Sequence, residues 1–118
     1  MTNEKSYASN KVYSLTTTVA SGQILSSAID LHGMDLAGVF IPSNFDGTKI
    51  YIQASSSLGG SYNRIQVDGV DFSLSATAGK PVAISNLAIT AAWQFIKLEA
   101  DTVQSTDDTI LTLALRLV

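Results

Sequence analysis

The chain has 118 residues, enough for one domain of ordinary size, and carries a formal net charge of −3. Hydrophobic residues make up 46% of it and charged residues only 14%, which excludes the polar, highly charged composition of a disordered chain. Its 7 Lys and Arg residues are scattered singly, which argues against nucleic-acid binding, and the lack of cysteine excludes disulfides and thiolate chemistry.

The first ten residues are polar, with Tyr7 as their only aromatic residue. We expect residues 1–10 to form a flexible arm and residues 11–118 to form a single domain. The arm is either a frayed terminus or a segment that orders on a neighbouring subunit. It lacks the apolar stretch of a signal peptide, and no apolar run approaches the ~20 residues of a membrane helix. We therefore expect a product made in the cytoplasm, with no membrane partner.

Alternation of apolar and polar residues, the pattern of a half-buried strand, begins at Lys11 and recurs along the chain. It predicts short strands within residues 11–19, 24–31, 34–41, 48–55, 62–67, 70–75, 81–85, 93–100 and 109–118. Asp68-Gly69 is a hairpin signal, and residues 86–92 are expected to form one helical or 3₁₀ turn. The last strand is the most regular, with one apolar face made by Leu111, Leu113, Leu115 and Leu117.

These elements predict an all-β fold. About eight short strands are separated by turn signals, and no helix is available for the crossovers that parallel strands need. The sequence therefore predicts an antiparallel β-sandwich of jelly-roll type.

Two of the strands carry apolar residues on both faces, whereas a strand in a sandwich needs only one apolar face. Within 34–41, Leu36 and Phe40 are expected on the face opposite Val39 and Ile41; within 93–100, Trp93 and Phe95 oppose Ile96 and Leu98. Either loops and residues 86–92 cover the second face, or the domain self-associates or docks through it. The second hypothesis predicts these interface residues: Leu36, Phe40, Trp93, Phe95 and, from the arm, Tyr7.

Candidate catalytic and metal-binding residues are few. His32 is the single histidine, and Asp30, Ser26 and Ser27 are its neighbours in sequence, but catalytic triads are assembled in space rather than along the chain. Aspartates that could bind calcium flank turns or fill the last loop, where aspartate is also an ordinary turn residue: Asp68, Asp71, Asp101, Asp107 and Asp108. The sequence therefore predicts a protein that is not an enzyme, with no catalytic, cofactor-binding or metal-binding residue.

Trp93, Tyr51 and Tyr62 suggest a second kind of surface, a platform on which sugar rings stack. The same aromatic residues could instead pack in the core or at a subunit interface. A carbohydrate- or receptor-binding module of a phage tail or cell surface is therefore the alternative to a structural protein.

Several segments resemble small structural proteins of tailed bacteriophages. A strand ending in Gln53-Ala54-Ser55 leads into a Gly-Gly loop and Tyr62, and the stretch 93–98 is similar to the penultimate strand of those proteins. Residues 109–113 and an early segment, 21–26 followed by Asp30-Leu31, extend the similarity over most of the chain from Ser21 onward. Leu58 departs from the pattern, because an Asp is expected before the glycines.

The resemblance implies a β-sandwich virion component such as a capsid decoration (cement) protein or a head- or tail-associated accessory protein. From the second apolar faces we expect it to form a homo-oligomer, for example a trimer, and to contact the major capsid protein or another virion protein. Such a protein is made in the host cytoplasm and assembled into the virion. The resemblance carries over no active-site residue.

Overall fold

The computed structural model describes residues 12–105 and 107–117 of the chain. The arm predicted at residues 1–10, with Tyr7, lies outside the described residues. Within them the strands are β1 (Val12–Val19), β2 (Ile29–Asp30), β3 (Asp35–Phe40), β4 (Lys49–Ser55), β5 (Asn63–Arg64), β6 (Gln66–Val67), β7 (Val70–Asp71), β8 (Ser73–Ser75), β9 (Pro81–Ala83), β10 (Phe95–Ala100) and β11 (Thr109–Arg116). A 3₁₀ turn at Leu87–Ile89 lies in the segment predicted to form one. No helix in the described ranges is long and apolar enough to span a membrane.

Nine of the strands form two antiparallel sheets, and β6 and β7 form a separate two-stranded hairpin. Sheet I has the order β1-β11-β3-β9, and sheet II has the order β2-β10-β4, with β5 and β8 sharing the far edge of β4. When β5, β6 and β7 are set aside, the other eight strands, renumbered in chain order, follow 1-8-3-6 in sheet I and 2-7-4-5 in sheet II. This is the strand order of a jelly roll, so the predicted β-sandwich is confirmed.

The prediction of about eight strands is too low. The three additional strands lie between β4 and β8, where β6 and β7 form a hairpin. Its turn is Asp68-Gly69, and both residues have positive φ values of 53° and 79°, as the sequence signal predicts. The segments predicted as single strands at 62–67 and 70–75 are each interrupted, at Ile65 and Phe72, whose side chains pack against the core.

The hydrophobic core lies between the two sheets. Leu111, Leu113 and Leu115 of β11 are fully buried and share one core cluster with residues of sheet II that include Ile52 and Leu98. The predicted face of four leucines contains only three of them. The β1–β11 pairing in the described residues stops at Arg116, and Leu117, which follows it, is 49% exposed.

A β-bulge changes the faces of β3. Ala114 of β11 pairs with Gly38, but the next residue, Leu115, pairs with Leu36, so Ala37 is an extra residue in β3. The bulge turns Leu36 onto the core side with Val39, and Leu36 is fully buried. The prediction that Leu36 belongs to an outer interface face with Phe40 is therefore wrong, because one inserted residue interrupts the period of two.

Trp93 is not part of a strand. The predicted strand 93–100 begins at Phe95, and Trp93 closes a turn in which its backbone N donates to Thr90 O at 3.1 Å. Thr90 is buried, and its Oγ1 accepts a hydrogen bond from Leu36 N at 3.0 Å. The turn that carries Trp93 is therefore anchored on the core.

Candidate functional site

The outer face of sheet I is almost free of charge. Pairing places residues of the four strands in rows across the sheet: one row of small residues, Ser14, Ala114, Gly38 and Ala83, and beside it a row of Thr16, Thr112, Phe40 and Pro81. Arg116 and Asp35 face each other at one end, and no other outward position on these strands in the described residues carries a charged side chain.

The outer face of sheet I has a depression beside exposed apolar side chains. The row of small residues forms the floor of a shallow depression of about 330 Å³. Beside it Phe40 is 48% exposed, and Ile110 on the neighbouring strand is also exposed. Gly38 is required in the floor, because a Cβ atom there would stand 2.9 Å from Val82 O of β9. The face therefore offers apolar side chains next to a cavity, with few charges to desolvate.

The outer face of sheet II carries a charged network instead. Arg64 donates from Nε to Glu99 Oε1 at 3.0 Å and from Nη2 to Glu99 Oε2 at 2.6 Å, and from Nη1 to Asp71 Oδ2 at 3.1 Å. Gln53 Nε2 donates to Glu99 Oε1 at 2.7 Å. The Arg64 guanidinium also lies over the Tyr51 ring, 3.7 Å from its centroid.

The network keeps its carboxylates ionised. Hydrogen bonds from Arg64 hold the pKa of Glu99 below its ordinary value, and hydrogen bonds from Gln66 and Arg64 do the same for the pKa of Asp71. The pKa of Arg64 is raised in turn, mainly by its hydrogen bonds to Glu99. One cation therefore serves two carboxylates, and the three groups together carry one negative charge.

An open groove of about 590 Å³ lies at one end of sheet II. It is lined by Ala54, Ser55, Ser56, Ser61, Asn63, Arg64, Ile65, Gln66 and Trp93. Trp93 is 40% exposed at its wall. Neither Tyr51 nor Tyr62 lines the groove, and each has a cation over its ring. Of the three aromatic residues predicted to form a sugar platform, only Trp93 therefore lines this groove.

The four predicted interface residues that the structure describes do not form one surface. Phe40 stands on the outer face of sheet I, whereas Phe95 is half-buried on the outer face of sheet II and Trp93 lies at the end of that sheet. Leu36 is in the core. The described residues therefore contain two separate candidate surfaces rather than one.

His32 sits in a turn with a φ of 53° and a largely exposed side chain. Its backbone N donates to Asp30 Oδ1 at 2.9 Å, which lowers the pKa of Asp30, and its Nδ1 lies 3.7 Å from Asp30 Oδ2. The Ser26 hydroxyl accepts from Leu98 N and donates to Ser27 O, and the Ser27 hydroxyl bonds to Thr17. The serines near His32 in sequence are thus committed to structural hydrogen bonds.

Aspartates of the loops fix backbone conformation. Asp101 accepts hydrogen bonds from Thr48 N and Oγ1, both at 3.0 Å, and Asp108 Oδ1 accepts from Ser21 N at 3.0 Å. Asp46, which the sequence analysis did not single out, accepts from the backbone and side chain of Ser105. Within residues 12–105 and 107–117 no three His, Cys, Asp or Glu side chains are grouped to hold a metal ion.

Sequence reasoning missed the Arg64–Glu99 network. The alternation of apolar and polar residues places Glu99 on the outward face of its strand. The residues around Glu99 give no sign that Arg64, 35 positions away in the chain, binds its carboxylate.

Comparison with known proteins adds no relative: no family model, no curated protein and no solved structure matches this chain.

Proposed function

We propose that this protein is a non-enzymatic structural component of a tailed-bacteriophage virion, a capsid decoration (cement) or head-associated accessory protein that docks by surface contact. The observation that carries the proposal is the outer face of sheet I, where four strands present apolar and hydroxyl side chains and a single pair of opposed charges at one end. The resemblance to phage structural proteins supplies the class of particle.

The outer face of sheet I can be desolvated at low cost. Burying a charged side chain at an interface costs free energy unless it finds a partner, and interface cores are depleted in Lys, Glu and Asp. The outer face of sheet I avoids this cost over most of its area, and Phe40 offers an aromatic side chain beside the depression at Gly38. The outer face of sheet II, with its charged network, is the less suitable face for docking.

Two partners fit the proposal: another copy of this chain, giving a homo-oligomer such as a trimer, and the major capsid protein or another virion protein. The protein is then made in the host cytoplasm and becomes part of the virion. Both partners are those expected from the sequence.

Binding to particles that lack the protein tests the proposal. Purified wild type is expected to co-sediment with such particles, and the double variant Phe40→Ser, Ile110→Ser is expected to bind at least about tenfold more weakly. Val70→Ser is the matched control, because Val70 is also exposed and apolar but lies in the β6–β7 hairpin. Failure of the wild type to bind, or equal binding by the double variant, would overturn the proposal.

A further inference from the structure

The groove beside Trp93 has the features of a site for a small polar molecule. Its volume of about 590 Å³ falls within the ~300–1,000 Å³ typical of ligand pockets. Its walls are the end of β4, the segment 61–66 and the Trp93 side chain. Tryptophan normally buries most of its large apolar surface, yet this one is 40% exposed. A flat apolar ring beside polar groups suits a ligand that has both an apolar face and hydrogen-bonding groups.

Both walls of the groove are fixed in advance. The backbone of Trp93 is held through Thr90, which is buried and whose hydroxyl accepts a hydrogen bond from Leu36 N in the core. On the other side, the Tyr62 hydroxyl donates to Leu58 O at 2.7 Å and the Lys97 ammonium lies 4.5 Å from the centre of the Tyr62 ring. These contacts brace the loop that supplies Ser56 and Ser61. A braced site loses less conformational entropy when a ligand binds.

Some polar groups of the groove are uncommitted. Among the described residues no hydrogen bond engages the side chains of Ser56, Ser61 and Asn63, or the indole N–H of Trp93. Hydroxyl and amide groups both donate and accept hydrogen bonds, and the indole N–H donates. Together they can match a ligand whose hydroxyls also do both.

The charges of the groove favour an uncharged ligand. Arg64 is the one charged residue among those lining it, and its guanidinium is already engaged by Glu99 and Asp71. Arg64, Glu99 and Asp71 together carry one negative charge, which disfavours a phosphate, sulfate or carboxylate beside them. The two carboxylates do not line the groove, so a cation would find no acid at its wall either.

We propose that this groove binds a neutral saccharide. The C–H face of one pyranose ring stacks on Trp93, and ring hydroxyls hydrogen-bond to Asn63 and to the serines at 56 and 61. The groove lies on sheet II, whereas the proposed docking face is the outer face of sheet I, so a docked protein can still present the groove to a glycan. The inference does not depend on the docking proposal.

Trp93 is the single tryptophan of the chain and therefore reports on its own site. The first experiment applies the full-length protein to an array of neutral and sialylated glycans. The second titrates the protein with maltotriose, chitotriose and lactose, with 3′-sialyllactose as the anionic comparison, and follows tryptophan fluorescence. We expect at least one neutral glycan to bind and to change the fluorescence saturably.

Variants locate the site. Trp93→Ala is expected to reduce array binding at least about tenfold and Asn63→Ala severalfold, while Trp93→Phe keeps part of the binding because its ring still stacks. Val103→Ser, an exposed apolar loop residue outside the groove, is the control and is expected to bind as wild type does. Circular dichroism checks that each variant is folded. Lack of binding to any neutral glycan, preference for sialylated glycans, or full binding by a folded Trp93→Ala protein would overturn the inference.

Discussion

Arg64 holds both carboxylate oxygens of Glu99, at 3.0 and 2.6 Å, although the two residues are 35 positions apart in the chain. The Arg64 side chain extends from β5, at the edge of sheet II, across β4 to Glu99 on β10, and so ties the edge strand to the middle of the sheet. The segment that carries β5 forms one wall of the Trp93 groove. The ion pair thus connects the stability of the inserted strands to the shape of the candidate site.

Removing one partner of this pair is expected to cost more than removing both. Arg64→Met leaves the buried Glu99 carboxylate with Gln53 as its remaining side-chain partner, and we expect a loss of about 1–2 kcal/mol in the free energy of unfolding. The value is below that of a fully buried pair because Arg64 is partly exposed. Urea unfolding of Arg64→Met, of Glu99→Met and of the double variant that carries both changes measures the coupling between the two residues. A double variant less stable than Arg64→Met alone would contradict it.

Stability is expected to fall in acid. The folded-state pKa of Glu99 lies below its ordinary value of 4.5, so the folded state binds fewer protons than the unfolded state as pH falls. The contribution of Glu99 is complete above about pH 5 and is lost as pH falls through its folded-state pKa. Asp46, whose pKa is lowered by hydrogen bonds from Ser105, acts in the same direction.

Glu99→Gln provides the comparison for this pH dependence. The variant cannot titrate at this position, so its stability deficit relative to wild type is expected to shrink as pH falls below 4.5. Thermal unfolding midpoints give the measurement, taken from about pH 7, where carboxylates are ionised, down to about pH 3, where most of them are protonated in an unfolded chain. A constant deficit over this range would show that Glu99 does not contribute through its charge.

The leucines of β11 allow a matched test of the core. Leu113→Ala is expected to lower the free energy of unfolding by about 2–5 kcal/mol, because the side chain is fully buried between the sheets. Leu117→Ala, the same change at a position 49% exposed, is expected to cost less than about 0.5 kcal/mol. Equal losses at the two positions would mean that β11 is registered differently.

Gly38 tests the packing of β9 on β3. A Cβ atom at this position would lie 2.9 Å from the backbone oxygen of Val82, so Gly38→Ala forces one strand to move. We expect a loss of about 1–3 kcal/mol. Gly59→Ala is the control, since an added Cβ there meets nothing within 4 Å. Chemical denaturation compares the two variants, and a neutral Gly38→Ala would contradict the close approach.

Self-association is the last expectation. If the outer face of sheet I mediates contact between copies, sedimentation velocity at micromolar concentration detects an oligomer of the wild type. Phe40→Ser is then expected to shift the population toward monomer by about tenfold in dissociation constant, because it removes an exposed aromatic side chain from the face. A wild type that is monomeric at these concentrations would limit docking to the capsid partner.

Features that depend on neighbouring residues could be predicted from the sequence. Alternation placed Leu111, Leu113 and Leu115 on one buried face, and Asp68-Gly69 marked a hairpin because its backbone needs positive φ values. Short strands without crossover helices indicated an antiparallel sandwich. In each case the signal lies within a few consecutive residues, where side-chain direction and turn geometry are set locally.

Features that depend on pairing between distant strands could not be predicted from the sequence and emerged from the fold. The bulge at Ala37 moved Leu36 into the core, since an extra residue shows itself only in the register against β11. The contact of Arg64 with Glu99 required β5 to pair with the edge of β4, two strands away from β10. The exposure of Trp93 followed from a turn anchored at Thr90. A period-2 pattern shows which residues of one strand share a face, but it does not show a bulge, an edge strand added to the sheet or the residue at which a strand begins, and these features decide which surfaces the protein presents.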